Sequence, residues 1–287
     1  LPLMCLPEAQ EKISEGAQGV VYKGKLKNID VAIKYIPCTS QQKKEAIQTE
    51  INAWIAVQTH PNICQWHGWY MIQQSKIFPI STYALVTELC TGGELFEKLT
   101  KGVLSCKDAL DLYYPLFDAV NHIHIRGYIH CDIKLENIVL DEKGVPKLID
   151  FGLVNCPHSG TPYYASPEVY EHRMHSGIDV WALGVCLFAS LCGFFPLNIA
   201  KGSDWRFRTL SNARSFCQNI FACYGRQCTF ASSMINLIDG MMKVDLKNRY
   251  TMQQVLVEAN NIICKDLLTR ITPLAKISRS KRSLSAC

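Results

Sequence analysis

Four polar residues in one short stretch constrain this chain more than any other feature: Asp132, Lys134, Asn137 and Asp150. The apolar runs on either side of a turn at 141–144 predict a β-hairpin, which would bring Asn137 and Asp150 together at one end. An amide oxygen and a carboxylate are hard ligands that suit Mg²⁺, with phosphates completing its coordination shell. The spacing therefore predicts a site that handles phosphate.

Length and composition describe an ordinary globular protein. The 287 residues suffice for two domains at roughly 150 residues each. Hydrophobic residues make up 48% and charged residues 19%, and the formal net charge is a modest +5, so we expect no nucleic-acid partner. The 14 cysteines are scattered without a C-x-x-C pair or a regular zinc pattern with histidine. We expect several of them to be buried thiols rather than disulfides.

The polar stretch resembles two motifs of one enzyme family. HCDIKLEN at 130–137 resembles the catalytic loop of eukaryotic-type serine/threonine protein kinases, and DFG at 150–152 matches their metal-binding motif. The resemblance implies an α+β, bilobal fold with a small β-rich N-lobe carrying one main helix and a larger, mainly helical C-lobe. It places the N-lobe at 8–90, the C-lobe at 91–265 and a basic, flexible tail at 266–287. For this tail, a nuclear address or an autophosphorylation region is the alternative.

The resemblance also implies roles for the catalytic residues. Asp132 would accept the proton of the substrate hydroxyl, and Lys134 would steady the transferring phosphoryl group. Asn137 and Asp150 would hold the metal ions, and Phe151 would pack as the pivot of the active arrangement. The implied cofactors are ATP and Mg²⁺.

A glycine-rich loop and a nearby strand resemble the nucleotide-binding part of the family. Ser14 replaces the first glycine of the loop, whereas Gly16 and Gly19 keep the positions where backbone approaches phosphate. Lys34, at the end of Val-Ala-Ile-Lys, would contact the α- and β-phosphates. The other residues implied to surround the nucleotide are Val21, Ala32, Thr87, Glu88, Cys90, Glu94 and Val139.

Each residue around the adenine and ribose has an implied contact. Backbone groups of Glu88 and Cys90 would bond the adenine edge, Glu94 would reach the ribose, and Val139 would form the floor. Thr87 would be the gatekeeper, whose small side chain leaves a back pocket open to bulky inhibitors.

Lys34 needs a carboxylate partner from the next helix. The spacing of apolar residues over 41–58 predicts that helix. Glu50 is the preferred partner, and Glu45 is the alternative.

The uncharged run at 180–200 has the hydropathy of a transmembrane helix, which needs about 20 apolar residues. Glycines and a proline interrupt it, and Asp179 precedes it. The resemblance places the buried central helix of a soluble domain here, so we expect no membrane span. Asp179 would then accept hydrogen bonds from the backbone of the catalytic loop.

Cys131 stands where many kinases have an arginine that pairs with a phosphorylated residue of the activation loop. A thiol cannot form that pair, and the segment at 150–168 is short for the family. We therefore expect activity that does not depend on activation-loop phosphorylation, including at Ser159. Further along, Glu168 and Arg249 match a buried ion pair that we interpret as structural.

Thr161 and Lys134 are typical of serine/threonine kinases, and the segment at 90–96 looks most like the calmodulin-dependent and checkpoint-kinase-like group. The implied activity is ATP-dependent phosphorylation of protein serine or threonine. A pseudokinase or kinase-fold ATP-binding regulatory module is one alternative, and a kinase-fold enzyme acting on a small molecule is another. We expect an intracellular location, cytoplasmic or nuclear, and a monomer by default. The basic and aromatic segment at 201–230 is either a docking surface for acidic partners or a solvated face over a local core.

Overall fold

The structure of the protein is a computed structural model. It describes residues 7–265 with the exception of 17, 75, 77, 157–160 and 212–213. The predicted tail at 266–287 and Ser159 lie outside the described residues.

The N-terminal part is a five-stranded antiparallel sheet with one long helix. Its strands are β1 (Glu8–Gly16), β2 (Gly19–Leu26), β3 (Ile29–Pro37), β4 (Trp66–Ile72) and β5 (Thr82–Glu88), in the spatial order β1-β2-β3-β5-β4. The alternation of side chains along β3 sets its two faces: Val31 and Ile33 are fully buried, whereas Ala32 and Lys34 line a cavity on the other side. Helix α1 (Gln41–Val57) begins at Ser40, whose hydroxyl accepts a hydrogen bond from the backbone of Lys43 at 3.1 Å.

The C-terminal part is mainly helical, with one two-stranded sheet. Its elements are α2 (Leu95–Leu99), α3 (Cys106–Ile125), β6 (Ile138–Leu140), β7 (Pro146–Leu148), α4 (Pro167–Tyr170), α5 (Gly177–Cys192), α6 (Trp205–Leu210), α7 (Phe216–Cys223) and α8 (Ser232–Met241), followed by helical residues over 252–265. The α+β, bilobal class expected from the sequence is confirmed. The lobe boundaries at 90 and 265 stay predictions.

Helix α5 is the centre of the C-lobe. All its residues from Gly177 to Leu191 are buried, and it packs against α3 and α8. Gly184 permits the contact with α8, because a Cβ atom there would lie 2.8 Å from the side chain of Met242. The run at 180–200 is therefore apolar because protein surrounds it. Within the described residues, no helix combines the length and apolar character that crossing a membrane requires.

The segment at 201–230 forms a local core. Phe221 contacts Phe188, Phe194 and Phe230 with ring centroids 5.7–6.3 Å apart. Arg206 is mostly buried and bonds both Asp204 and Tyr224 instead of facing solvent as a free cation. These contacts favour the local-core alternative over a basic docking surface.

Candidate active site

The β6–β7 hairpin brings the two predicted metal ligands to one place. Ile138 pairs with Leu148, and the backbone N–H of Ile149 donates to the carbonyl of Asn137 at 3.0 Å. Asp150 therefore lies just after the end of the hairpin, close to Asn137. Asp150 has a φ of 62°, a left-handed conformation that costs energy in a non-glycine residue and often marks a functional site.

Asp132 is the centre of a hydrogen-bonded loop. Its Oδ2 atom accepts bonds from Lys134 Nζ and from the amide nitrogen of Asn137, both at 2.9 Å. The same amide nitrogen donates to the backbone carbonyl of Asp132 at 2.8 Å. Because these bonds use the nitrogen of Asn137, its amide oxygen is oriented as a hard ligand for a cation.

The buried carboxylate of Asp179 holds this loop from below. Its oxygens accept hydrogen bonds from the backbone N–H groups of His130 and Cys131 at 2.8 and 2.9 Å. The predicted contact between Asp179 and the backbone of the catalytic loop is therefore confirmed. His124 Nε2 is a further partner at 2.8 Å that the sequence did not reveal. Burial alone would raise the pKa of Asp179, but the hydrogen bond and charge of His124, together with the charge and backbone N–H of His130, hold that pKa below its usual range.

Lys34 joins the two lobes across the site. Its Nζ atom lies 2.8 Å from Glu50 Oε1 and 2.7 Å from Asp150 Oδ1. The alternative partner, Glu45, bonds Gln41 on the same helix instead. Burial lowers the pKa of Lys34, but the charges of Glu50 and Asp150 outweigh burial and raise it above its ordinary value. Lys34 is therefore a fixed cation.

The pKa values of the two carboxyl groups shift in opposite directions, although burial raises both and Lys34 lowers both. Burial, assisted by the negative charge of Asp150, raises the pKa of Glu50 despite the nearby lysine. Asp150 is only partly buried, and the charge and hydrogen bond of Lys34, with the backbone N–H of Gly152, outweigh its burial and lower the pKa of Asp150. Asp150 is thus ionised, as a metal ligand must be.

Phe151 sits between the lobes and contacts no solvent. Its ring centroid lies 4.6 Å from that of Trp54 on α1 and 4.9 Å from that of His130 in the catalytic loop. This packing directs the neighbouring Asp150 towards Lys34.

A cavity of about 390 Å³ lies between the sheet and the catalytic loop. All the residues predicted to bind the nucleotide line it except Gly16 and Gly19, which pair with each other at the tip of the β1–β2 hairpin. Position 19 must be glycine, because a Cβ atom there would lie 2.3 Å from the carbonyl oxygen of Tyr35 on the adjacent strand. A Cβ atom at Gly16 would meet open space.

Gln18 is a site residue that the sequence analysis missed. Its side-chain oxygen accepts a hydrogen bond from Lys34 Nζ at 3.0 Å. The end of its side chain also lies against Gly152, where an added Cβ atom would be 1.7 Å from the Gln18 oxygen. No periodic pattern in the sequence reports a contact between a loop tip and the DFG motif.

Acidic side chains gather at the mouth of the cavity. Burial, then the charges of Glu97 and Glu136, raise the pKa of Glu94. Glu136 accepts a hydrogen bond from the hydroxyl of Tyr164 at 3.0 Å, which links the catalytic loop to the segment before α4.

The segment after the DFG motif is tied to the catalytic loop without a phosphate. Ile129 and Asn155 exchange two hydrogen bonds of 2.8 Å. Cys131 is buried beside them, where burial and the charge of Asp179 raise the pKa of its thiol. Farther on, Glu168 and Arg249 form a buried ion pair, with Arg249 Nη2 lying 3.1 Å from Glu168 Oε2.

Known proteins resemble this chain over most of its length. The protein kinase domain family matches residues 8–259. Calcium/calmodulin-dependent protein kinase type IV of Rattus norvegicus is 30% identical over 231 residues, which cover 75% of this chain and 46% of that protein. CBL-interacting serine/threonine-protein kinase 2 of Arabidopsis thaliana is 33% identical over 233 residues, 75% of this chain and 49% of the relative. Maternal embryonic leucine zipper kinase of Danio rerio is 31% identical over 271 residues, which cover 87% of this chain and 36% of that protein.

The chain spans less than half the length of each of these relatives. The likeness to a calmodulin-dependent kinase confirms the grouping expected from the segment at 90–96. The family match includes both lobes and the cavity between them. The chain therefore belongs to the protein kinase family.

Proposed function

We propose that this chain is a serine/threonine protein kinase, which transfers the γ-phosphoryl group of ATP to serine or threonine hydroxyls of protein substrates. The observation that carries the proposal is that Lys34, Asn137 and Asp150 line one cavity, with Lys34 already paired to Glu50 and Asn137 hydrogen-bonded to Asp132. The relatives carry kinase names, and one is named a serine/threonine kinase.

The donor set fits Mg²⁺ and ATP. Asn137 would offer its amide oxygen, and Asp150 would offer the oxygen that bonds neither Lys34 nor Gly152. When bound, the Mg-ATP complex supplies the phosphoryl group and the divalent charge that offsets its negative oxygens.

The chain's own residues would then position the substrate hydroxyl and neutralise the negative charge of the phosphates. Asp132 accepts the proton of the substrate hydroxyl, and its bonds to Lys134 and Asn137 fix the direction in which its carboxylate points. Lys134 places a cation next to Asp132, and Lys34 places a second cation in the wall of the same cavity. Catalysis by such groups consists of orientation and stabilisation of developing charge.

Activity without activation-loop phosphorylation is part of the proposal. Cys131 cannot bind a phosphate as an arginine does. The two bonds between Ile129 and Asn155 supply an uncharged anchor at the same place. The acidic mouth formed by Glu94 and Glu136 supports a second part, a preference for basic residues near the phosphoacceptor.

A pseudokinase, or a kinase-fold ATP-binding regulatory module, is the alternative. It is disfavoured because each residue needed for transfer is present and in contact with its partner. An intracellular location and a monomeric state stay predictions from the sequence.

The proposal is tested by incubating the purified chain with Mg-ATP and an array of serine and threonine peptides. We expect transfer to a subset of peptides, and a loss of at least about 10²-fold in Asp132→Asn, the scale of one preorganised catalytic contact. The Asp118→Asn variant, which changes an exposed carboxylate, is the matched control. ATP binding without transfer to any peptide would favour the regulatory module.

A further inference from the structure

We propose that Cys64, Glu88 and Cys90 form a binding site for a soft divalent cation of the Zn²⁺ type. These three residues are called the hinge cluster, because 88–90 connect the N-lobe sheet to the C-lobe. Each contributes one ligand atom, two thiol sulfurs and a carboxylate oxygen, and all three atoms lie within 4.8 Å of one another. In the described part of the chain, this is the one group of three such side chains that comes this close.

The ligand types select the metal. Two thiolates and a carboxylate suit Zn²⁺, whereas the oxygen-only set at Asn137 and Asp150 suits Mg²⁺. With Zn–S bonds of about 2.3 Å, two sulfurs on a tetrahedral ion lie roughly 3.8 Å apart, so small side-chain rotations close the cluster around an ion. Three protein ligands leave the fourth position to a water molecule.

The surroundings of Glu88 complete the site. Its Oε1 atom accepts hydrogen bonds from Lys147 Nζ and from the backbone N–H of Gln65, both at 2.8 Å. Both bonds use Oε1, so the second oxygen can bind a cation while the carboxylate stays oriented, as is usual for metal-binding carboxylates.

Charge balance supports the same assignment. Two thiolates and a carboxylate carry three negative charges, and Zn²⁺ with the ammonium group of Lys147 carries three positive ones. The Lys147 side chain is only 14% exposed and that of Glu88 25%, so neutrality matters more here than on an open surface.

The backbone around the cluster is firmly held. The N–H of Cys64 donates to Leu148 of β7 at 3.0 Å, and the N–H of Glu88 donates to Gln65 at 2.9 Å. The thiol of Cys64 donates a hydrogen bond to the carbonyl of Glu88 at 3.4 Å. Cys64 therefore contacts the segment 88–90, which contains Cys90. A metal ion would therefore link Cys64, which is bonded to β7 of the C-lobe, to the hinge residues 88–90. The site does not depend on the proposed phosphotransfer activity.

The test is titration of the reduced protein with Zn²⁺ and with Co²⁺ as a spectroscopic substitute, using a phosphine reductant that leaves the thiols free. We expect one tight equivalent of Zn²⁺ by competition with a chromophoric chelator. We also expect a thiolate-to-cobalt charge-transfer band in the Co²⁺ form. Because changes to groups that only support a ligand cost about 10–100-fold in metal affinity, loss of a ligand in Cys64→Ser or Cys90→Ser should cost at least about 100-fold.

Matched variants separate this site from binding elsewhere. Cys264→Ser, at an exposed cysteine outside the cluster, should bind Zn²⁺ like the parent. Lys147→Gln should bind about 10-fold more weakly. Cys90 is only partly buried, so Cys90→Ser keeps the test valid if Cys64→Ser fails to fold. Unchanged affinity in Cys90→Ser, or a cobalt spectrum without the thiolate band, would overturn the proposal.

Discussion

Asn155 and Ile129 are joined by two hydrogen bonds of equal length, one in each direction. The backbone N–H of Ile129 donates to the side-chain oxygen of Asn155, and the backbone N–H of Asn155 donates to the carbonyl of Ile129, both at 2.8 Å. Asn155 has a φ of 55°, a conformation that asparagine tolerates better than most residues. The start of the activation segment is therefore fixed to the catalytic loop by neutral groups.

Removing this anchor should lower the rate of phosphate transfer. In Asn155→Gly the backbone keeps its conformational freedom but the accepting oxygen is lost, and we expect kcat/KM to fall about 10-fold, the equivalent of one hydrogen bond near 1.4 kcal/mol. Asn155→Asp keeps an acceptor oxygen and should retain most of the activity. Steady-state kinetics on one peptide substrate checks both variants, and equal rates for Asn155→Gly and the parent would contradict the anchoring role.

The Lys34–Glu50 pair predicts a contrast between two glutamates of helix α1. Glu50→Gln should lower kcat/KM by about 10–10²-fold, because Lys34 loses the charge that positions it for the phosphates. Glu45→Gln should have no effect, since Glu45 bonds Gln41 on the exposed side of the helix. The ratio of the two kcat/KM values is the measurement. An equal loss in both variants would mean that the effect arises from the helix and not from the pair.

The buried pair of Glu168 and Arg249 should matter for stability. Glu168→Gln leaves the Arg249 guanidinium buried without a counter-ion, which costs about 3–5 kcal/mol of unfolding free energy. Glu171→Gln breaks an exposed pair with Arg173 and should cost below about 1 kcal/mol. Urea unfolding of the two variants gives these values. A similar loss of unfolding free energy in both variants would show that the burial of the Glu168–Arg249 pair does not increase the cost of breaking it.

Acid should reduce the stability that Asp179 contributes. Its folded-state pKa is held below the unfolded value of about 3.9, so the contribution is complete above that pH and is lost as the pH falls through the lower, folded value. Asp179→Asn should therefore be about 2–4 kcal/mol less stable than the parent at neutral pH, with a gap that shrinks below about pH 4.

Urea unfolding at several pH values measures this gap. Asp111→Asn, which changes an exposed carboxylate paired with Lys107, should show little difference from the parent across the range. A gap between Asp179→Asn and the parent that widens in acid would mean that the sign of the shift is wrong.

Local motifs made much of the fold and site predictable. The hairpin at 138–148 follows from the turn between Asn137 and Asp150, and the bilobal fold follows from the family resemblance. Apolar spacing located helix α1 and the sequence favoured Glu50 over Glu45 as the partner of Lys34, and the structure places Lys34 against Glu50.

Contacts between distant segments were not predictable. Gln18 meets Lys34 and Gly152 because a loop tip folds over the site, and nothing in its neighbours signals that. Cys64 and Cys90 lie 26 positions apart and form no linear cysteine motif. Their proximity follows from the hydrogen bond between the N–H of Glu88 and the carbonyl of Gln65, which only the tertiary structure provides.

The measurement that tests the account most directly is the initial rate of peptide phosphorylation before and after complete phosphatase treatment, with loss of phosphate verified by mass spectrometry. Cys131 and the Asn155–Ile129 anchor predict equal rates, within about twofold, and Asp132→Asn should lose at least about 10²-fold under both conditions. Loss of activity on dephosphorylation, with the unfolding transition unchanged, would contradict the account.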